Sequence, residues 1–170
     1  MTRRLALFLA LLSGTATASE WSLTEVTAFS ESACLQTCPD NRLATERILD
    51  ADFSQVGAFT FATSNDTLRA QADAAEDGKF RICTLAVNDL AEAGFSSDQF
   101  ETAIIEEVRA LWPDRRFLDY GADLLDRRRY AMDGGGYTVA FSFAPQDGTA
   151  TTVMMYNNTP VPDALLEGLE

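Results

Sequence analysis

The chain has no histidine and only one lysine, Lys79, among its 170 residues. Without imidazole there is no Ser-His-Asp or Cys-His nucleophile, no HExxH zinc site and no side chain that switches charge near neutral pH. Positive charge is scarce as well: 13 Lys and Arg face 26 Asp and Glu, a formal net charge of −13. That balance excludes nucleic acid as a partner, since phosphate binding needs clustered bases to displace counterions. No apolar run after the N-terminus approaches the roughly 18 residues at which a membrane-spanning helix becomes credible. No cofactor fingerprint appears either, and no D-x-D-x-D-G calcium loop accompanies the many acids.

What is present suits a folded domain. Apolar residues make up 46% of the chain and aromatics 10%, ordinary for a globular core and too rich for a disordered one. The length suggests one domain. Arg3-Arg4, the apolar run Leu5 to Leu12, the small polar stretch from Ser13 and Ala16-Thr17-Ala18 follow the order of a cleavable signal peptide. Residues 1–18 are therefore expected to be removed, leaving residues 19–170 as a single domain in the periplasm or outside the cell. Twelve of the thirteen bases are Arg, a skew that fits a GC-rich bacterial coding bias. The mature chain would keep 11 bases against 26 acids and carry −15.

Three cysteines, Cys34, Cys38 and Cys83, remain after cleavage. In an oxidising compartment the expectation is one disulfide from Cys83 to either Cys34 or Cys38, with one thiol left over. Such a bridge closes a loop of about 45–50 residues and contributes roughly 3–4 kcal/mol through chain entropy. Cys34-Leu35-Gln36-Thr37-Cys38-Pro39 also resembles the C-x-x-x-C-P motif of Sco-type copper chaperones, which are thioredoxin-fold proteins. The resemblance implies a soft Cu(I) site built on Cys34 and Cys38. The third ligand of that family is a histidine, which this chain lacks.

Periodicity sets the element expectations. Ser22-Leu23-Thr24-Glu25 has capping-box form and opens a helix that ends before Pro39. Residues 42–53 read as helix and Val56 to Thr63 as a strand with Phe59 and Phe61 on one face. The alanine-rich stretch Asp66 to Asp77 reads as a surface helix by propensity. Phe80 to Cys83 reads as a short strand, and Leu85 to Ala93 as a helix capped by Gly94 with Phe95 behind it.

The clearest helix follows Ser96. Phe100, Ile104, Ile105, Val108, Leu111 and Trp112 form an apolar stripe ended by Pro113. Together with 85–93 it makes a helical hairpin, and its acids Glu101, Glu106 and Glu107 exclude a DNA-reading role. Residues 117–126 suit a short helix, with a strand as the alternative. Residues 127–132, 137–143 and 149–156 read as an antiparallel meander with Tyr137, Val139, Phe141 and Phe143 on its apolar face. The fold class expected is α+β, with N-terminal and central helices packed on a C-terminal antiparallel meander in two layers. No internal repeat is visible.

Candidate sites are few. Gly134-Gly135-Gly136 leads into a strand, so it suits a hairpin turn rather than a phosphate cradle. Residues 114–129 form the one basic concentration, five Arg against four Asp. On a strand Arg127 and Arg129 share a face while Arg128 points the other way, so Arg127 and Arg129 are the candidate ligand-binding pair. Their alternative role is pairing with the protein's own acids. Asp119, Asp123 and Asp126 could flank a scissile bond as carboxylate catalysts. A pocket gathering these acids or the arginines would point to an enzyme. A flat apolar patch beside the meander edge would point to a protein partner. Since the residues that carry most chemistry are missing, the expectation is an exported, non-enzymatic binding or interaction protein of the bacterial cell envelope. It would use no cofactor or metal and meet a protein partner there. The alternative is a thiol- or carboxylate-based periplasmic enzyme or a copper or thiol-redox carrier using Cys34 and Cys38.

Overall fold

A computed structural model describes residues 21–37, 41–74, 80–133, 138–146 and 148–158. The expected signal segment 1–18, Cys38, Gly134 to Tyr137 and the tail from residue 159 lie outside the described residues. Helix α1 (Leu23–Ser30) is followed by a π turn (Glu31–Leu35), then by α2 (Asn41–Asp50). Strands β1 (Ser54–Gln55), β2 (Thr60–Ala62), β3 (Leu68–Ala74) and β4 (Phe80–Val87) follow. The short α3 (Leu90–Ala93) and the long α4 (Ser97–Leu111) lead to β5 (Phe117–Ala122), β6 (Arg128–Asp133), β7 (Thr138–Gln146) and β8 (Thr149–Asn157).

All eight strands form one open antiparallel sheet in the order β1-β2-β3-β4-β8-β7-β6-β5. The α+β class holds, but the sheet has eight strands where a three-stranded C-terminal meander was expected to carry the helices. Each half is a helical segment followed by a four-stranded meander. The halves meet where β4 pairs with β8, from Phe80 opposite Asn157 to Val87 opposite Ala150. This topological repeat has no counterpart in the sequence, because burial constrains only polarity at each position and not residue identity.

Capping places the two main helices. Ser22 and Glu25 form the capping box of α1, and the serine's hydrogen bonds hold the Glu25 carboxyl below its ordinary pKa. Ser96 and Gln99 do the same for α4, which stops at Trp112 before Pro113. The expected first helix widens into the π turn, where Gln36 donates its backbone N–H to Glu31 O at 2.8 Å. That widening lets three consecutive residues, Ala33, Cys34 and Leu35, all face inward.

Two expected helices are corrected, and the choice left open at 117–126 resolves to the strand. Residues 68–74 are a strand, because Leu68, Ala70 and Ala72 alternate with Arg69, Gln71 and Asp73; this two-residue period overrides the helix propensity of alanine. Leu85 continues β4, since Cys83, Leu85 and Val87 share its buried face. The helix there is only Leu90–Ala93, capped by Asp89 and ended by Gly94 at φ 74°. Residues 117–122 are a strand, whose register with β6 shifts between Asp119 and Ala122; Gly121 sits in this irregularity at φ 65°. The strand expected over 56–63 contracts to Thr60–Ala62, with Phe61 buried and Phe59 exposed.

One sheet face is apolar and carries the helices. Tyr130, Phe141, Met154, Cys83 and Ala72 lie in a row across five strands, and all five are buried. Phe100 of α4 meets Phe143 edge-on at 6.5 Å, while Trp21, Phe29 and Phe53 cluster beneath the N-terminal helices. On the other face Ala140, Met155 and Ile82 form a half-buried row. No helix among the described residues packs on that face.

The disulfide joins Cys34 of the π turn to Cys83 of β4, with Cα atoms 5.6 Å apart. It fastens the N-terminal helical layer to the centre of the sheet. Of the two pairings left open by the sequence, Cys34 with Cys83 is the one formed. No described helix is long and apolar enough to cross a membrane.

Candidate functional site

The alternation of β6 sorts its two arginines, Arg128 and Arg129, and Arg127 stands just before the strand. Arg128 turns to the helix side, where its Nε lies 3.2 Å from Glu101 Oε1 and its Nη2 3.8 Å from Asp119 Oδ2. The Tyr130 hydroxyl donates to the same Glu101 oxygen at 2.6 Å. Burial, and then the bond to Glu101, raises the Tyr130 pKa well above its ordinary 10. This network sits under α4 and was missed by the sequence reading. The available signal was position: Glu101 lies three, four and seven residues before Ile104, Ile105 and Val108, on the buried stripe itself.

Arg127 and Arg129 project to the helix-free face. Arg127 is gripped by Asp123, its Nε donating at 2.8 Å and its Nη2 lying at 2.7 Å, both to Oδ2. Asp123 Oδ1 accepts the backbone N–H groups of Leu125 and Arg127 at 2.8 and 3.1 Å. The guanidinium first, then these backbone donors, holds the Asp123 carboxyl at a pKa of about 2. The hairpin between β5 and β6 is thereby fixed, and it presents Leu124 fully and Leu125 largely to solvent.

Arg129 has no ion-pair partner among the described residues. It and Arg127 line a groove of about 360 Å³ with Tyr120, Ala131, Ala140, Ser142 and Met155. Small side chains at 131, 140 and 142 leave the space, and the register places Ala131 beside Ala140 and Ala140 beside Met155. No carboxylate lines it. A second cavity of about 320 Å³ opens at the same end of the sheet on the helix side, lined by Val108, Arg109, Trp112, Pro113, Arg115, Phe117 and Met132. It too lacks a carboxylate. Arg109 lies over the Phe117 ring, 5.0 Å from its centre.

The three candidate acids do not converge. Asp119 faces Arg128 on the helix side, Asp123 is locked as an anion by Arg127, and Asp126 occupies the turn at φ 54°. Asp126 borders a space of only about 50 Å³ beside Glu101 and Arg128. An ion held at a pKa of about 2 cannot deliver a proton near neutral pH. No group of three or more acids or cysteines among the described residues is placed to hold a metal ion. Cys34 is bonded to Cys83, which removes it from a dithiolate with Cys38. The antiparallel sheet also lacks the βαβ unit that a thioredoxin fold contains. No protein-family model matches the chain, and no curated protein matches it in sequence.

Proposed function

We propose that the protein is an exported binding protein of the bacterial cell envelope, non-enzymatic, which docks a protein partner at the β5–β6 end of its sheet. The observation that carries this reading is the Arg127–Arg129 groove on the helix-free face, a concave, carboxylate-free surface in a chain of net charge −13. The exposed Leu124 and Leu125 on the adjoining hairpin add apolar contact area to it. The Cys34–Cys83 disulfide is compatible with an oxidising compartment.

The test combines location and binding. Expressed from its own N-terminus in a Gram-negative host, the chain should be recovered in the periplasmic fraction beginning at Ser19. Immobilised wild-type protein should retain a partner from the host's envelope extract that Arg127→Gln/Arg129→Gln does not. Retention of the chain in the cytoplasm, or equal capture by both proteins, would count against the reading.

A further inference from the structure

The two ends of the sheet differ. At one end β1 is two residues long and offers almost no free backbone. At the other, β5 runs for six residues, Phe117–Ala122, and pairs only with β6 among the described residues. The direction of its free groups follows from the register. Phe117 lies opposite Met132, and Asp133 donates its N–H to Arg116 O at 2.9 Å. Residues 117 and 119 are therefore in non-hydrogen-bonded pairs with β6, and their own N–H and C=O groups point outward from the sheet.

This free edge lies between the two arginine-lined cavities. On the helix-free side are Arg127 and Arg129, and on the helix side Arg109 and Arg115. A strand added to β5 would send successive side chains alternately to the two sides. Each side meets guanidinium groups over an apolar floor: Ala131, Ala140 and Met155 on one, Trp112, Phe117 and Met132 on the other. In a chain with twice as many acids as bases, and with Arg127 already paired with Asp123, Arg129, Arg109 and Arg115 are the guanidinium groups this edge offers to a carboxylate. Their reach is limited to about 8–10 Å at moderate salt.

We propose that β5 is the docking edge for an extended acidic segment of the partner, which adds as a ninth strand with its carboxylates shared between Arg129 on one side and Arg109 and Arg115 on the other. This rests on the reading of the β5–β6 end as the binding surface, and names what binds there. Main-chain bonds to Phe117 and Asp119 supply the strand geometry, and the guanidinium forks select carboxylates.

The probe is a synthetic acidic peptide, acetyl-VEEVEEVE-amide, titrated into the oxidised protein and followed by amide NMR and hydrogen exchange. Binding should slow exchange of the Phe117 and Asp119 amides. Arg129→Gln should weaken it about threefold, and Arg115→Gln/Arg129→Gln about tenfold. The charge-reversed acetyl-VKKVKKVK-amide should not bind. The same acidic peptide N-methylated at every residue keeps its charge but cannot donate along either edge, and it should lose binding. Equal binding of the methylated peptide would overturn strand addition while leaving the surface reading intact. Shifts confined to the exposed side of α1 or α4 would overturn both. Absence of binding at millimolar peptide would overturn the acidic-strand proposal. So would concentration-dependent protection of the two amides without peptide, which would assign the edge to a second copy of the chain.

Discussion

The Tyr130 hydroxyl lies 2.6 Å from Glu101 Oε1, joining β6 to the long helix α4 inside the core. Both residues are buried, and Arg128 completes the network at the solvent boundary. A carboxylate with 8% exposure persists there only because a hydroxyl and a guanidinium satisfy it. Tyr130→Phe should therefore destabilise the protein by about 2 kcal/mol, the scale of a hydrogen bond to a charged group. Denaturant unfolding of the two proteins measures it. An unchanged midpoint would mean the bond contributes nothing.

The same pair sets a pH dependence. The folded-state pKa of Tyr130 is raised, so its stabilising contribution is complete below the ordinary value of 10 and declines as pH rises from there toward the folded value. The stability difference between wild type and Tyr130→Phe should be constant from pH 7 to about 9 and narrow above 10. A difference that stays flat through pH 11 would contradict the raised value.

Asp123 provides the acid-side counterpart. Its folded pKa of about 2 lies below its ordinary 3.8, so its contribution is present above that ordinary value and lost as pH falls toward 2. A carboxyl-carbon NMR titration should place its midpoint near 2 in the wild type. In Arg127→Gln the midpoint should move up, because the largest cause of the shift has been removed.

The disulfide spans 49 residues, so its removal should cost about 4 kcal/mol by the loop-entropy relation. Cys34→Ser/Cys83→Ser should show this loss in equilibrium unfolding. Thiol titration of the denatured, unreduced wild type should find one free thiol, that of Cys38, and three after reduction. Three thiols before reduction would contradict the bridge.

Thr152 is fully buried between Leu85 and Phe143 in the sheet, and its hydroxyl has no protein hydrogen-bond partner among the described residues. Thr152→Val keeps the shape and removes the unsatisfied group, so it should stabilise the protein by about 1 kcal/mol. A lower unfolding temperature would contradict this.

Legibility in the sequence followed the strength of the local signal. Helix α4 was readable because its cap, its stripe and Pro113 all agree. The meander β6–β8 was readable from the alternation around Val139, Phe141 and Phe143. Strand β3 was misread because alanine's helix propensity was weighed above the alternation of Arg69, Gln71 and Asp73. Strand β5 was obscured by Leu124 and Leu125, whose apolarity suggested a buried helix face although they stand at an exposed hairpin tip. The opposite facing of Arg128 relative to Arg127 and Arg129 followed directly from strand geometry. The free edge beside them could not be read, because strand order depends on pairings made across the whole chain, above all β4 with β8.

Position-specific photocrosslinking in cells tests the account's central claim most directly. A photoreactive phenylalanine derivative is placed at Tyr120, in the groove, and separately at Val56, which is 61% exposed near the opposite sheet edge. The account predicts a discrete protein adduct from position 120, lost when Arg129→Gln is added, and none from position 56. Adducts from position 56 alone, or an adduct at 120 indifferent to Arg129, would contradict docking at the β5–β6 end.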